Sequence, residues 1–199
     1  MRRASVSGMA IRKIASIGHP VLREPARDIA PDELKSREVQ RFIDDLVETM
    51  RDARGAGLAA NQIHEPIRVC AAEVRENPRY PYKPNIPLTI LVNPKIEIVS
   101  ERTFDNYEGC LSVPNLRGLV PRYTEIRLSA LDRNGEVIDR RARGLTAGTF
   151  QHEVDHLDGV LFVDRVQDPT TLCTWTEFER FHKDGFVSRI SELVAEFGE

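Results

Sequence analysis

Residues 151–159 read Gln151-His152-Glu153-Val154-Asp155-His156-Leu157-Asp158-Gly159, and this stretch decides how the rest of the chain must be arranged. His152 and His156 are four residues apart, so in a helix of about 3.6 residues per turn both imidazoles can reach one metal ion. Glu153 is poorly placed to be a third ligand on that face, but well placed to exchange a proton with water at the metal. This is the His-Glu-x-x-His pattern, and it needs a third ligand from elsewhere in the chain.

The surrounding residues predict a helix. Thr146 and Thr149 are candidates to cap its start, and Val154 and Leu157 supply an apolar stripe. Gly159 is the left-handed residue that often follows a helix end. The alternative is a surface helix whose histidines and acidic residues only meet water.

Length and composition predict an ordinary globular protein. The 199 residues are 41% hydrophobic and 30% charged, which suits one domain over 1–199, although two small domains are an alternative. Within it we expect a flexible segment at 1–10 and a helical C-terminal extension at 167–199. A net charge of −3 gives no electrostatic case for a nucleic-acid partner.

The cysteines and hydrophobic runs predict the compartment. Cys70, Cys110 and Cys173 are too few and too scattered for a disulfide framework, which favours a reducing environment. No run is long enough to span a bilayer, and the residues before Met9 contain no apolar leader. We expect a bacterial cytoplasmic protein with no membrane partner. An organellar protein is the less favoured alternative, and either Met1 or Met9 could be the start.

Hydrophobic spacing predicts the other elements. Apolar residues at helical spacing indicate an amphipathic helix over 36–54, and the aromatic and aliphatic residues after Phe162 indicate a docked C-terminal helix. Asn134-Gly135 between two alternating runs is a strong hairpin signal. The predicted strands cover 67–74, 88–92, 95–99, 125–131 and 137–142.

Cys110 is the best candidate for the third ligand. A thiolate binds borderline-soft divalent metals well, and Gly109 frees the backbone beside it. Asp155 and Asp158 are alternatives, although Asp155 lies on a different helix face from the two histidines. His64 and His182 have no supporting pattern.

Three blocks now stand in order along the chain, and together they resemble the peptide deformylase family. The blocks are 55–62 (Gly-Ala-Gly-Leu-Ala-Ala-Asn-Gln), 108–112 (Glu-Gly-Cys-Leu-Ser) and 151–156 (Gln-His-Glu-Val-Asp-His). The resemblance covers roughly 11–165, and Arg117 and the segment 120–122 are also similar to the family.

The resemblance implies an α+β fold. Antiparallel β-sheets would surround a central metal-binding helix, with an N-terminal amphipathic helix and a C-terminal helix. It also implies that Cys110, His152 and His156 bind one divalent metal ion. That ion is typically Fe(II) in the cell, and Zn(II), Ni(II) or Co(II) are able to replace it.

The function implied is removal of the N-terminal formyl group from formyl-methionine of nascent polypeptides. By resemblance Glu153 transfers the proton, and the Leu111 N–H and the Gln62 side chain stabilise the oxyanion. The substrate-binding residues implied are Ala56, Gly57, Glu108, Gly109, Arg117, Leu145, Gly148 and Thr149. Ala56, Gly148 and Thr149 are smaller than the residues often found there, which predicts a wide methionine pocket. Transient ribosome contact and a homodimer through the C-terminal helix are further expectations.

Two other functions compete with deformylation. A zinc endopeptidase uses the same pentapeptide, but it usually takes its third ligand from a downstream Glu or His, and no such signature follows Gly159. A non-catalytic, ribosome-associated metal-binding module would not require Glu153 and Gln62. Cleavage within a chain would support the first, and bound metal without turnover would support the second.

Overall fold

The computed structural model describes residues 10–75 and 82–198. The expected flexible segment 1–10 therefore lies outside the described residues except for Ala10, whose N–H donates to Asp45 Oδ1 at 2.8 Å. The helices are α1 (Pro31–Leu34), α2 (Arg37–Asp52), α3 (Gly144–Leu157), α4 (Phe162–Arg165), α5 (Trp175–Glu177) and α6 (Lys183–Phe197). The strands are β1 (Gly57–Ala59), β2 (Val69–Val74), β3 (Ile86–Cys110), β4 (Val113–Leu131), β5 (Val137–Arg143) and β6 (Cys173–Thr174). Short 3₁₀ helices cover Pro20–Leu22, Ala60–Ile63 and Pro169–Thr171, and a π-helical turn covers Phe178–His182.

The predicted amphipathic helix is confirmed as α2. The Ser36 hydroxyl accepts a hydrogen bond from Val39 N at 3.2 Å and so caps the first turn. The apolar side chains of α2 are buried together with β1 and β2, among them Ile43, Leu46 and Met50. The chain then turns through Arg54, at φ 53°, into β1.

All the strand pairings named here are antiparallel, and they run in the order β1-β2-β3-β4-β5, with β6 added to β4. The prediction of separate strands at 88–92 and 95–99 is wrong, because β3 continues through Asn93 and Pro94. The register shifts between Val92 and Lys95, which accommodates the proline. Asn93, at φ 50°, exchanges side-chain hydrogen bonds with the Ile29 backbone at 2.8 and 2.9 Å. This tertiary contact keeps the strand continuous.

The predicted hairpin is confirmed by β4 and β5. The Asp132 carboxylate accepts hydrogen bonds from Asn134 N and Glu136 N, both at 2.8 Å. Gly135 has φ 87°, the left-handed conformation that this tight turn requires. The hairpin leads directly into α3.

The metal-motif helix α3 lies at the centre of the fold. Every one of its residues except His152 is buried, so it is enclosed on all sides by the sheet and the C-terminal helix. The prediction that Thr146 or Thr149 caps its start is wrong, because α3 begins at Gly144. Thr149 lies inside the helix, where its hydroxyl donates to the Leu145 carbonyl at 3.0 Å. Gly159, at φ 76°, ends the helix as predicted.

The C-terminal residues form more than the predicted helix. They run through the 3₁₀ helix Pro169–Thr171, β6 and α5 before the π-helical turn and α6. Their apolar side chains share a buried cluster with the body of the protein, whose members are Tyr107, Leu145, Phe178, Phe186, Ile190 and Leu193. Among the residues described, no helix combines the length and the apolar character needed to cross a bilayer.

Candidate active site

Cys110, His152 and His156 form a group that can hold a metal ion. Cys110 ends β3, the histidines are one turn apart on α3, and one donor atom from each lies within 4.8 Å of the others. The Nε2 atoms of His152 and His156 are 3.2 Å apart, and Cys110 Sγ is 3.2 Å from His156 Nε2. Two nitrogens bound at about 2.0–2.1 Å to a tetrahedral cation would lie about 3.3 Å apart. The spacing of the donors therefore fits one metal ion.

The surroundings of Cys110 favour its thiolate. Burial opposes the charged form, but the neighbouring imidazoles of His156 and His152 outweigh it and lower the pKa of the thiol to about 5. Ser112 N and Gln62 Nε2 lie 3.3 and 3.4 Å from Sγ and face it as donors. The sulfur is thus held as the form that binds a metal.

A buried charge network orients His152. Its Nδ1 is 2.8 Å from Glu108 Oε2, and the same carboxylate receives two hydrogen bonds from the Arg122 guanidinium at 2.7 and 2.9 Å. Arg122 also donates to Asp155 Oδ2 at 2.6 Å, and Arg165 donates to both oxygens of Asp155 at 3.1 and 2.6 Å. Despite burial, Arg122 and His152 hold the pKa of Glu108 below its usual range. Glu108 therefore stays ionised and holds the ring so that Nε2 faces the metal position.

Glu153 is buried next to the ligand group. Burial raises the pKa of its carboxyl group, and the imidazoles of His152 and His156 oppose that rise. Its Oε2 atom has no hydrogen-bond partner within the described part of the chain. A Cβ atom added to Gly57 would lie 2.2 Å from Glu153 Oε1, so only glycine admits the carboxylate at this position. The arrangement suits a group that accepts and returns a proton.

Gln62 has a fixed orientation. Its Oε1 accepts a hydrogen bond from Ala59 N at 2.8 Å, which turns Nε2 toward Ser112 Oγ at 3.0 Å and toward Cys110. Burial and these three hydrogen bonds hold the amide in place. Gln62 thus presents an N–H donor beside the ligand group.

A cavity of about 550 Å³ opens at this group. Most of the sequence-predicted residues line it, namely Ala56, Gly57, Gln62, Glu108, Gly109, Cys110, Leu111, Arg117, Gly148, Thr149, His152 and Glu153. His156 and Leu145 are not among the described lining residues. Leu145 is 1% exposed and packs with Phe178 and Phe186 behind the cavity wall. The structure therefore brings the predicted site residues together at this cavity, except for Leu145, which is buried behind its wall.

Sequence reasoning missed several cavity residues. Lys83, from the loop before β3, lines the wall, and its ammonium lies 3.3 Å from Thr149 Oγ1. Burial lowers the pKa of Lys83 to about 8. Trp175 and Glu179 reach the cavity from the C-terminal extension. No local sequence pattern marks these three residues. Arg122 of the buried charge network is different, because it lies in the segment 120–122 that is similar to the family.

The family model for polypeptide deformylase matches residues 11–171. The chain belongs to the polypeptide deformylase family. Among curated deformylases it is 43% identical to peptide deformylase 2 of Ralstonia nicotianae, over 87% of this chain and 99% of that protein. It is 45% identical to peptide deformylase 1 of Bordetella pertussis, over 80% of this chain and 90% of that one.

Solved deformylase structures share the fold. The class I type b peptide deformylase of Acinetobacter baumannii, with Met-Ala-Ser bound, superposes with TM-score 0.77 at 36% identity, covering 80% of this chain and 100% of its own. The Synechococcus elongatus deformylase, in complex with actinonin, has TM-score 0.72 at 28% identity and covers all of this chain and 91% of its own. The predicted α+β fold with a central metal-motif helix is therefore confirmed.

Membership of the deformylase family confirms the predicted activity. The protein is a metal-dependent hydrolase of the deformylase type, which removes the formyl group from nascent peptides. The endopeptidase and the non-catalytic metal-binding module are not supported.

Proposed function

We propose that Cys110, His152 and His156 hold one divalent metal ion, and that Glu153, Gln62 and Leu111 act on the formyl group. The observation that carries this proposal is the meeting of the three ligand atoms within 4.8 Å, beside a buried Glu153 carboxylate, at the wall of one cavity. A structural metal site has no need of such a carboxylate or of an open cavity.

The metal, when bound, would polarise the formyl carbonyl and make water a stronger acid near neutral pH. We infer Fe(II) as the ion in the cell, with Zn(II), Ni(II) or Co(II) able to replace it. One thiolate and two imidazoles suit all four ions, so the choice depends on the metal available and on protection from oxygen. Iron-loaded protein should therefore lose activity in air while zinc-loaded protein does not. Metal content and formate release, measured in parallel before and after exposure to air, distinguish the iron-loaded protein from the zinc-loaded protein.

Glu153 carries the proton in this proposal. Its carboxylate takes a proton from the attacking water and returns one to the amine that leaves when the formyl C–N bond breaks. Burial supports this role, because the raised pKa of Glu153 lies closer to the pKa values of the groups with which it exchanges a proton. Formate and a free α-amino group are the products.

Gln62 and Leu111 would stabilise the negative oxygen that forms on the formyl carbon. The Gln62 amide already points its N–H at the ligand group, and Leu111 follows Cys110 directly at the cavity wall. Preorganised donors of this kind each contribute about 3–4 kcal/mol to transition-state stabilisation. The hydrogen bonds that hold the Gln62 amide support this role.

The other lining residues would bind the peptide. The A. baumannii relative has Met-Ala-Ser bound, which supports an extended substrate here. We propose that backbone groups of Ala56, Gly57 and Gly109 bind its main chain, with Glu108 and Arg117 fixing that wall. Gly148 and Thr149 would border the methionine side chain, with Leu145 behind them.

The proposed reaction also bears on where the enzyme acts, what it contacts and how the chain is organised. N-formylmethionyl nascent peptides emerge at the ribosome, so we propose cytoplasmic action with transient ribosome contact. We propose one domain over 1–199, supported by the cluster that joins the C-terminal helix to the body. We also propose that the exposed side of α6 forms the contact of a homodimer. Analytical ultracentrifugation would detect this dimer.

The decisive experiment measures formate release from formyl-Met-Ala-Ser by anaerobically purified, metal-quantified protein. Wild type should release formate and spare the acetylated peptide. Glu153→Gln should keep a full equivalent of metal and lose at least about 100-fold in kcat, because general acid–base catalysis contributes that much or more. Wild-type rates in this variant would remove Glu153 from the mechanism.

Cys110→Ala tests the ligand assignment separately. The variant should lose most of its metal, because two imidazoles alone hold a divalent ion weakly. Cys173→Ala is the matched control, since this cysteine is not part of the ligand group and should retain wild-type metal content. Full metal occupancy in Cys110→Ala would contradict the assignment.

A further inference from the structure

Asn61 is a buried polar residue of the first sequence block, and the proposed reaction assigns it no role. It lies in the 3₁₀ helix Ala60–Ile63 and is 0% exposed. Its Nδ2 atom donates a hydrogen bond to the His156 carbonyl at 2.5 Å, and Gly159 N donates to the same carbonyl at 3.0 Å. Asn61 therefore contacts one of the proposed metal ligands and helps to satisfy the last carbonyl groups of α3.

Two buried polar atoms at this contact have no hydrogen-bond partner in the described part of the chain. One is Asn61 Oδ1, which is an acceptor, and the other is His156 Nδ1. Both residues are at most 1% exposed, so bulk water does not reach either atom. A buried polar atom without a partner is costly, because it has given up its hydrogen bond to water. Each of these atoms is therefore a candidate partner for the other.

The ligand geometry decides which form of His156 is complementary to Asn61. His156 Nε2 is 3.2 Å from both Cys110 Sγ and His152 Nε2, so a metal held by this group binds the ring through Nε2. A neutral imidazole carries one proton, which must then lie on Nδ1. Metal-bound His156 therefore has a buried N–H donor, and Asn61 Oδ1 is a buried acceptor.

The orientation of the Asn61 amide follows from its donor. Exchange of Oδ1 and Nδ2 would place an oxygen against the His156 carbonyl, where two acceptors repel, so Oδ1 is the end without a partner. The terminal torsion of an asparagine side chain is broad, so a small rotation of the amide costs little. Asn61 can therefore keep its bond to the carbonyl while Oδ1 moves toward Nδ1 of the same histidine.

The other histidine ligand already has a partner of this kind. His152 Nδ1 is 2.8 Å from Glu108 Oε2, which fixes the plane of its ring. A histidine that binds a metal through one nitrogen generally donates the other ring N–H to an oxygen, and this bond orients the ligand. The amide oxygen of Asn61 suits this role for His156 and adds no charge to the metal site.

We propose that Asn61 is a positioning residue for the second histidine ligand, whose Nδ1–H donates a hydrogen bond to Asn61 Oδ1 when Nε2 holds the metal. Asn61 is not among the described residues that line the cavity, so it acts through His156, by fixing the plane of the ring. The proposal rests on the proposed ligand set. Zinc content distinguishes a failure of that ligand set from a failure of Asn61.

The binding test measures zinc affinity by competition with a chelator. Asn61→Leu removes both polar atoms of the side chain, so it should weaken zinc binding by about 10- to 100-fold. Asn61→Asp should regain most of the affinity, because burial favours the neutral acid, which offers the same acceptor together with a donor. Wild-type affinity in Asn61→Leu would overturn the proposal, and an aspartate variant as weak as the leucine variant would count against it.

Thr49→Val is the matched control, because it also removes buried hydrogen bonds. Thr49 is 1% exposed, and its hydroxyl donates to the Asp45 carbonyl at 2.7 Å and accepts from Arg12 N at 2.9 Å. It belongs neither to the ligand group nor to the cavity-lining residues described. This variant should lower the denaturation midpoint and keep wild-type zinc affinity. An equal loss of affinity in both variants would reveal a general effect of destabilisation and overturn the role of Asn61.

The spectroscopic test uses NMR of the isotope-labelled wild-type protein loaded with zinc. The three histidines outside the ligand group are exposed, so their ring protons exchange with water. Two protected Nδ1–H signals, both shifted downfield by hydrogen bonding, should therefore remain. One belongs to His152 beside Glu108, and the other belongs to His156 beside Asn61. Asn61→Leu should move only the His156 signal upfield.

The outcomes of this test are distinct. A full equivalent of zinc with no hydrogen-bonded proton on His156 Nδ1 would overturn the role of Asn61 and leave the ligand set standing. Wild-type protein that binds no zinc would contradict the ligand set itself, and the role of Asn61 with it.

Discussion

Gly57 illustrates how a single residue fixes the catalytic geometry. An added Cβ would lie 2.2 Å from Glu153 Oε1 and 2.4 Å from its carboxyl carbon. We therefore expect Gly57→Ala to displace Glu153 and lower kcat by about 100-fold, the size of a lost or misplaced general base. Formate release from metal-quantified protein measures this.

The matched control is Gly185→Ala in α6, where the nearest heavy atom to the added Cβ is Arg189 Nη1 at 3.9 Å. Alanine favours the helix there, so activity should be unchanged and stability slightly higher. Normal turnover by Gly57→Ala would mean that Glu153 has room to move without loss of function.

The ionisation of Glu153 predicts the acid limb of the rate profile. Burial raises the pKa of this carboxyl group above its ordinary 4.5. A general base works only when ionised, so kcat/KM should fall as the pH drops through the Glu153 pKa, at a pH higher than 4.5. The measurement is a pH profile of formate release, with metal content determined at each pH. A flat profile down to pH 4.5 in fully metallated enzyme would contradict it.

At the scale of elements, Arg122 joins β3, β4 and α3. Its guanidinium lies between the buried carboxylates of Glu108 and Asp155, and its side chain is 3% exposed. Arg122→Met should lower the unfolding free energy by about 3–5 kcal/mol, because it removes the guanidinium from the buried Glu108 carboxylate and leaves Asp155 with Arg165 alone. Denaturant unfolding, monitored by circular dichroism, measures this.

The same change should weaken metal binding by about 10- to 100-fold, since Glu108 would hold His152 less firmly. Arg127→Met on the same strand β4 is the control. The Arg127 pair with Asp139 is exposed, so its loss should change neither stability nor metal affinity appreciably. Equal effects of the two substitutions would show that the buried network has no special role.

At the scale of the whole molecule, we expect the C-terminal extension and the body to unfold together. Phe186 is fully buried in the cluster that joins α6 to Tyr107 and Leu145. Phe186→Ala should lower the unfolding free energy by about 3–5 kcal/mol and shift one cooperative transition. The exposed Phe181→Ala should have little effect. Two separate transitions in wild type would contradict a single domain.

The sequence by itself determined the features that depend on neighbouring residues. The spacing of His152 and His156 follows from the helical repeat, the Asn134-Gly135 turn from backbone preference, and the α2 stripe from hydrophobic periodicity. These three predictions required no knowledge of which distant segments meet. Cys110 is different, because it lies far from the helix in sequence, and only its chemistry and the family resemblance made it the proposed third ligand.

Only the tertiary structure decided the features that depend on distant contacts. The continuity of β3 depends on Asn93 reaching Ile29, and the early start of α3 depends on its burial on all sides. Likewise, Trp175 and Glu179 reach the cavity because β6 pairs with β4, a contact between segments more than 50 residues apart. Local sequence patterns carry no information on such pairings, because their free energy arises only when the chain has folded.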